Sequence, residues 1–241
     1  MNPKALVLLA ALLAAESSAA SAADGAPAPF VAEYDVHYGS IDVGTSRSEL
    51  KRAREPGQWI FESQSSASGF ARIIASGTLL QRSTFELGSD GPRPLSYRFD
   101  DGTRRTGRDV SLEFDWRAGR VSGTAEDEPV DIAAPAGLQD VASLQALVLM
   151  RLQAGAEPGT IDMIESSKVK RYVYTRLRTE RIKTSIGELD TVVYRSARPN
   201  STRETIFWYA PSLDYAMVQA EQRRDGKRAF QTYIRSFKAG N

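Results

Sequence analysis

Phe30-Val31-Ala32-Glu33-Tyr34-Asp35-Val36-His37-Tyr38 is the stretch whose reading decides the fold class. Phe30, Ala32, Tyr34, Val36 and Tyr38 fall on one side of an extended chain, and Glu33, Asp35 and His37 on the other. That period of two belongs to a β-strand with one buried face. Gly39-Ser40 then turns the chain into a second strand from Ile41 through Val43 to Leu50. Pro56-Gly57 marks the next reversal, and Trp59 and Phe61 alternate with polar neighbours in a third strand.

Further along, Gly69 to Ala75 is a compact apolar patch with the look of a helical turn, and Gly77 to Leu87 reads as a strand. Gly88 to Pro94 reads as a loop. Leu95, Tyr97 and Phe99, then Asp101-Gly102, then Val110, Leu112, Phe114 and Trp116 predict a hairpin with a long second arm, since Asp-Gly favours tight turns between alternating segments. Arg117 to Gly119 turns the chain toward a strand around Val121, and Pro129 to Gly137 is irregular.

One helix is expected, with Asp140 as its cap and Val141, Leu144, Leu147, Val148 and Leu152 at helical spacing. Leu149 and Met150 widen its apolar surface so far that it must be covered nearly all round. From Ile161 strand patterns return: Val169–Arg176, Arg181–Ser185, Leu189–Arg195, Thr205–Tyr209, Tyr215–Arg223 and Ala229–Phe237. Ile186-Gly187-Glu188, Ala210-Pro211-Ser212 and Asp225-Gly226 supply turns. The expectation is a mostly β chain: a strongly curved antiparallel sheet or partly open β-barrel of about ten to twelve strands wrapping one central α-helix. No repeat of fixed period points to a propeller or solenoid.

Toward the N-terminus, residues 1–23 follow the secretory pattern: Lys4, an apolar run from Ala5 to Ala15, then small residues ending in Ala20-Ser21-Ala22. The run is well short of the roughly 20 residues that cross a bilayer. Residues 1–23 are therefore read as a secretory signal peptide, 24–29 as a linker and 30–238 as one β-rich domain, located in the periplasm. No later segment is long and apolar enough to span a membrane.

Composition narrows the chemistry. In 241 residues there is no cysteine and one histidine, His37, which removes thiolate sites, disulfides and multi-histidine metal centres. A net charge of +1 gives no electrostatic basis for a nucleic-acid partner. His37 beside Asp35 and Glu33 reads as a solvated strand residue, with catalysis the rarer outcome. Asp100-Asp101 and Glu126-Asp127-Glu128 offer the paired carboxylates of glycan hydrolysis, but sit in turn-like surroundings where such residues cap and solubilise. The second set lacks the spaced oxygens and glycine of a calcium loop. Ser65, Ser66 and Ser68 with Gly69 do not make a nucleophile elbow, and no phosphate-cradling glycine loop is present. Trp59, Trp116, Trp208 and the tyrosines are either ordinary core or the lining of a cavity for an apolar or sugar ligand. Thus no catalytic residue, metal ligand or cofactor is assigned, and the ligand-binding residues are left open.

Several segments, in their order, resemble an exported family, domain-of-unknown-function family 3108 (DUF3108). They are Pro29-Phe30-Val31-Ala32-Glu33-Tyr34 with Gly39 and Gly44, Phe114-Asp115-Trp116 with Gly119, and Leu138-Gln139-Asp140. Thr184-Ser185-Ile186-Gly187, Trp208-Tyr209-Ala210-Pro211 and Asp225-Gly226 complete the set. Tyr209 and Ala216 depart from the aliphatic and apolar residues usual at those positions. The resemblance implies a signal peptide, export and a curved antiparallel sheet, similar at the level of fold to periplasmic lipoprotein-carrier barrels. It carries no functional residue. Three functions remain in view: a non-enzymatic module binding a lipid, an envelope glycan or an envelope protein; a carboxylate-dependent envelope glycan hydrolase; and a structural partner of a membrane assembly.

Overall fold

The computed structural model describes residues 26–69 and 77–240; the expected signal peptide and most of the apolar patch at Gly69–Ala75 lie outside them. The chain first runs through eight strands: β1 (Phe30–Tyr38), β2 (Ile41–Arg52), β3 (Gln58–Ala67), β4 (Thr78–Gly88), β5 (Gly91–Asp100), β6 (Val110–Asp115), β7 (Arg120–Ala125) and β8 (Glu128–Ala133). The helix α1 (Ser143–Gln153) follows. Six more strands complete the fold: β9 (Thr160–Glu165), β10 (Lys168–Thr184), β11 (Gly187–Ala197), β12 (Arg203–Ala210), β13 (Ala216–Arg224) and β14 (Lys227–Ala239).

All of them lie in one 14-stranded sheet ordered β8-β7-β6-β5-β4-β3-β2-β1-β14-β13-β12-β11-β10-β9. Each half is an up-and-down meander, and β14 pairs antiparallel with β1 to join the halves. The two edges, β8 and β9, are consecutive strands separated by α1, so the sheet stops being continuous where the chain leaves it to make the helix. Short connections explain the meander, because antiparallel neighbours need only tight turns. In two of them, Glu126-Asp127 and Asp225-Gly226, both residues have positive φ, as the right-handed twist of flanking strands requires.

The seam between the edges is bridged without becoming a ladder. Gln139 pairs in parallel with Met163: its amide donates to the Asp162 carbonyl at 3.0 Å, and its own carbonyl accepts from Ile164 at 2.8 Å. At one end of the seam the Ser166 hydroxyl donates to Glu126 Oε1 at 2.7 Å.

The expected covering of α1 is found. Leu144, Leu147, Val148 and Leu152 pack with Ile161, Met163, Tyr174, Tyr194 and Tyr209 from β9–β12. Ala142, Ala146 and Leu149 turn toward Leu50, Phe85, Leu112 and Val121 in the other half. The helix is a buried rod with the sheet wrapped about it.

Four expectations are corrected. The sheet has 14 strands rather than ten to twelve. Part of the excess is β8, inside the stretch read as irregular. It lies at the sheet edge, where Pro129 costs no ladder bond in a second partner. The stretch Gly88–Pro94 is a turn at Ser89-Asp90 running directly into β5. Pro92 and Pro94 are accommodated because β6 pairs only with Ser96–Phe99, leaving one side of β5 without a strand beside them. Asp101-Gly102 opens a longer loop to β6, and the second arm of that hairpin is the shorter one. The Asp100 and Asp101 carboxylates accept from the amides of Gly102 at 2.8 Å and Thr103 at 2.9 Å, which holds the chain in successive turns instead of reversing it. Finally, the two strands expected over Val169–Ser185 are one, the 17-residue β10.

Candidate ligand-binding cavity

Small inward residues leave space inside the sheet. Gly44, Ser46 and Ser48 on β2 stand opposite Ala67, Ser65 and Ser63 on β3, and directly opposed residues share a face. Where Leu50 and Phe61 fill the adjoining layer, these positions carry little or no side chain beyond Cβ. Beside them stand Ala142, just before α1, and Gln145 on it. The result is a cavity of about 520 Å³ between the start of α1 and the inner faces of β1–β4 and β12–β14, within the roughly 300–1,000 Å³ of small-molecule sites.

The cavity has a polarity gradient. Phe30, Tyr34, Phe61, Ala142, Leu149 and Tyr209 are buried and form its closed end. The half-exposed wall mixes Ser46, Ser48, Ser63, Ser65, Gln81, Thr205 and Thr232 with Val36, Leu79, Phe207 and Met217, and the rim carries Gln222 and Phe230. Ser65 donates to Ser46 Oγ at 3.0 Å, and Ser48 reaches Ser63 Oγ at 3.5 Å, so two cross-strand hydroxyl pairs face the space. On the far wall Phe207 and Tyr209 stack at 5.8 Å. Among the described residues, none that lines the cavity is charged.

Two of its tyrosines, Tyr34 and Tyr209, are buried. The Tyr34 hydroxyl donates to the Met217 carbonyl at 3.0 Å. The Tyr209 hydroxyl is buried and has no partner among the described residues. Burial pushes both phenols far above their ordinary value, and for Tyr209 the neighbouring Tyr174, Tyr34 and Tyr194 add to it. Neither is a phenolate near neutral pH.

Asp140 lies beneath the cavity without lining it. Its Oδ1 accepts from the amides of Ala142 and Ser143, both at 2.8 Å, and its Oδ2 from the Ser83 hydroxyl at 2.6 Å. Ser143 Oγ in turn accepts from the Asp140 amide at 3.0 Å. Asp140 therefore caps the helix start as its position in the sequence predicts. Complete burial raises its pKa to about 6, against the pull of those hydrogen bonds.

The other candidates are dispersed. His37 is half-buried on the outer face, opposite Asp42 and Gln231 in register, with its ring edge-on to Tyr233 at 5.4 Å. Asp100 and Asp101 meet Asp109 with their oxygens within 4.8 Å of one another, at the β5–β6 loop and away from the cavity. Glu126 is held by Ser166, and Asp127 accepts from Thr106 Oγ1 at 2.8 Å. Ser66 faces Thr78 and Ser68 binds Asp42, both outside the cavity. Of the aromatic candidates, Tyr34, Tyr209 and Tyr215 line it and the tryptophans do not. Trp116 Nε1 donates to the Pro94 carbonyl, Trp208 Nε1 to Glu180, and Trp59 packs in the core under Arg52. Sequence reasoning misses the serine pairs as lining. Their signal is a run of small polar residues at inward positions, where alternation calls for bulk.

The sequence profile of a family described as a protein of unknown function, DUF3108, matches residues 33–228, which reach every strand that lines the cavity. The chain belongs to DUF3108. Among solved structures, this DUF3108 chain is similar to a β-barrel-like protein of domain-of-unknown-function family DUF1849 from Brucella abortus. The two are 8% identical with a TM-score of 0.49, over 90% of this chain and 99% of that one. It is also similar to a protein with a YmcC-like fold from Bacteroides fragilis, 10% identical with a TM-score of 0.34, over 88% and 97%. No curated protein matches the sequence.

Proposed function

We propose that this DUF3108 protein is a non-enzymatic binding module of the periplasm that takes the acyl chain of an envelope lipid into the cavity beside α1. One observation carries the reading: the cavity is aromatic and aliphatic at its closed end, gains hydroxyl and amide groups among apolar side chains toward its mouth, and is free of charged lining among the described residues. An acyl chain entering tail-first buries apolar surface against Phe30, Phe61 and Leu149, while its neutral linkage atoms meet Ser46, Ser48, Ser63 and Ser65. The same lining argues against carboxylate hydrolysis there, because that chemistry needs two acidic groups across the substrate. The periplasmic location is supported by the secretory pattern of residues 1–23.

The test is displacement of a fluorescent fatty-acyl probe by monoacylglycerols of graded chain length. Micromolar binding that strengthens with chain length is expected. Replacing the facing pair with Ser48→Leu and Ser63→Leu fills the space with apolar atoms, so probe affinity falls at least tenfold while Tm holds or rises. A protein freed of copurified lipid that binds no chain of any length refutes the reading, as does a filled-cavity variant that binds like the parent.

A further inference from the structure

The mouth of the cavity continues into an exposed apolar tip. In the antiparallel register Tyr38 stands opposite both Ile41, across the β1–β2 turn, and Phe230 on β14, so the three side chains share the inward face. Tyr38 and Phe230 lie 5.1 Å apart, and Tyr38, Ile41 and Phe230 remain 55%, 65% and 44% exposed. Isolated exposed apolar residues are ordinary, but three together at the rim of a cavity form a patch that marks an interaction surface.

Strand order sets cations beside this tip. The β11–β12 loop and the β13–β14 turn lie at the same end of the sheet as the β1–β2 turn. Arg203 and Arg224 face each other in the ladder, and Lys227 follows opposite Arg224 across the turn. Arg198, Arg203 and Arg224 also line a shallow groove. Arg198, Arg203 and Lys227 take part in no ion pair among the described residues, and Arg224 reaches only Asp225 at 3.7 Å. By contrast Arg171 and Lys170, in the same groove, are matched by Asp162 and Glu165. Positive charge that only Glu165, near Arg198, and Asp225, near Arg224, partly offset therefore flanks an aromatic and aliphatic tip.

We infer that this end of the molecule docks on a bilayer surface bearing anionic phospholipid, with Tyr38, Ile41 and Phe230 entering the interfacial layer and Arg198, Arg203 and Lys227 against lipid phosphates. An amphipathic tyrosine ring suits the headgroup level, and each cation near an anionic surface adds attraction that salt screens. The inference rests on the acyl-chain reading only for its purpose: docking turns the cavity mouth toward the surface that holds such chains.

The experiment is cosedimentation of the purified chain with vesicles of phosphatidylcholine alone, or of three parts phosphatidylcholine to one part phosphatidylglycerol. Binding to the mixed vesicles, lost at high salt and weak on phosphatidylcholine alone, is expected. The pair Tyr38→Ser and Ile41→Ser, neither of which lines the cavity, weakens it at least tenfold. Removing charge with Arg203→Gln and Lys227→Gln weakens it about fivefold per residue, which serves as an independent arm should the first pair unfold. The filled-cavity variant Ser48→Leu, Ser63→Leu sediments like the parent. Protein that stays in the supernatant with mixed vesicles overturns the inference, and so does sedimentation indifferent to both pairs of substitutions. Loss of probe binding with docking intact counts against the cavity reading alone, and the converse against docking alone.

Discussion

Asp140 concentrates three demands on one side chain: it satisfies the first amides of α1, it accepts from Ser83 across the core, and it does so in complete burial. Burial penalises the ionised form more than the hydrogen bonds favour it, so the folded chain keeps this proton up to about pH 6, where the ordinary value is 3.8. Between those values the folded state binds more protons than the unfolded one. The contribution of this group to stability is thus fully present below about pH 4 and falls as pH rises through about 6, by roughly 2–3 kcal/mol in all. Asp162, Glu49 and Glu180, whose pKa values are lowered by Arg171, Arg47 and Arg178, act in the opposite sense at more acid pH. The Asp140 effect is therefore read by difference. Asp140→Asn keeps an oxygen for the helix amides and loses the titration, so the gap in stability between variant and parent, measured by urea unfolding at intervals from pH 4 to 7.5, should move in favour of the variant as pH rises. A gap that stays flat removes the protonated carboxyl from the account. Asp140→Ala loses the titration too and also strands those amides, so it should lie about 1–3 kcal/mol below Asp140→Asn at each pH.

At the scale of the element, regularity depends on close backbone approach as much as on side chains. Gly123 on β7 has φ +145°, and a Cβ there would lie 2.0 Å from the Ser111 carbonyl oxygen of the neighbouring β6. Gly123→Ala should cost about 3 kcal/mol, a Tm loss of roughly 6–12 °C, with amide exchange quickening along β6–β7 and hardly at all in β12–β14; a loss under 1 kcal/mol would mean that the ladder shifts freely. Elements whose residues announce their period are legible in the sequence: β1, the helix with Asp140 before it, and the Asp225-Gly226 turn. Those that are not legible have physical reasons. β10 carries Thr175 to Thr179 exposed throughout, so no buried face imposes an alternation there, and one strand reads as two. Asp101-Gly102 matches Asp225-Gly226 in letters, yet only the latter sits between residues paired in a ladder, Arg224 and Lys227, while side-chain bonds from Asp100 and Asp101 hold the former in successive turns. The cavity is hidden for a related reason: space is made by what is small, and a serine such as Ser65 draws attention for its nucleophilicity rather than its volume.

At the scale of the whole molecule, the sheet wraps a rod yet remains one ladder short of closure, and the last contacts are made by Gln139. Besides its backbone bridge to β9, its Nε2 donates to the carbonyls of Pro92 at 3.0 Å and Gly137 at 3.2 Å, so one residue ties β5, the approach to α1 and the β9 edge. The Pro92 carbonyl is a buried acceptor on a proline-bearing stretch that β6 does not reach. Gln139 thus supplies there the donor that a strand elsewhere provides. Continuous ladders spread their load over many amides, but this seam depends on few, and local opening takes the route with fewest buried contacts. Gln139→Ala keeps the backbone bridge and removes both side-chain bonds, at a cost of about 1–3 kcal/mol. The cost should appear unevenly in hydrogen exchange: the Ile164 amide and the first amides of α1 lose protection together, while β1 and β14, joined by a full ladder, keep theirs. Equal loss across both regions would show that the wrapped sheet opens only as a whole, and that the break between β8 and β9 is closed in energy although it is open in topology.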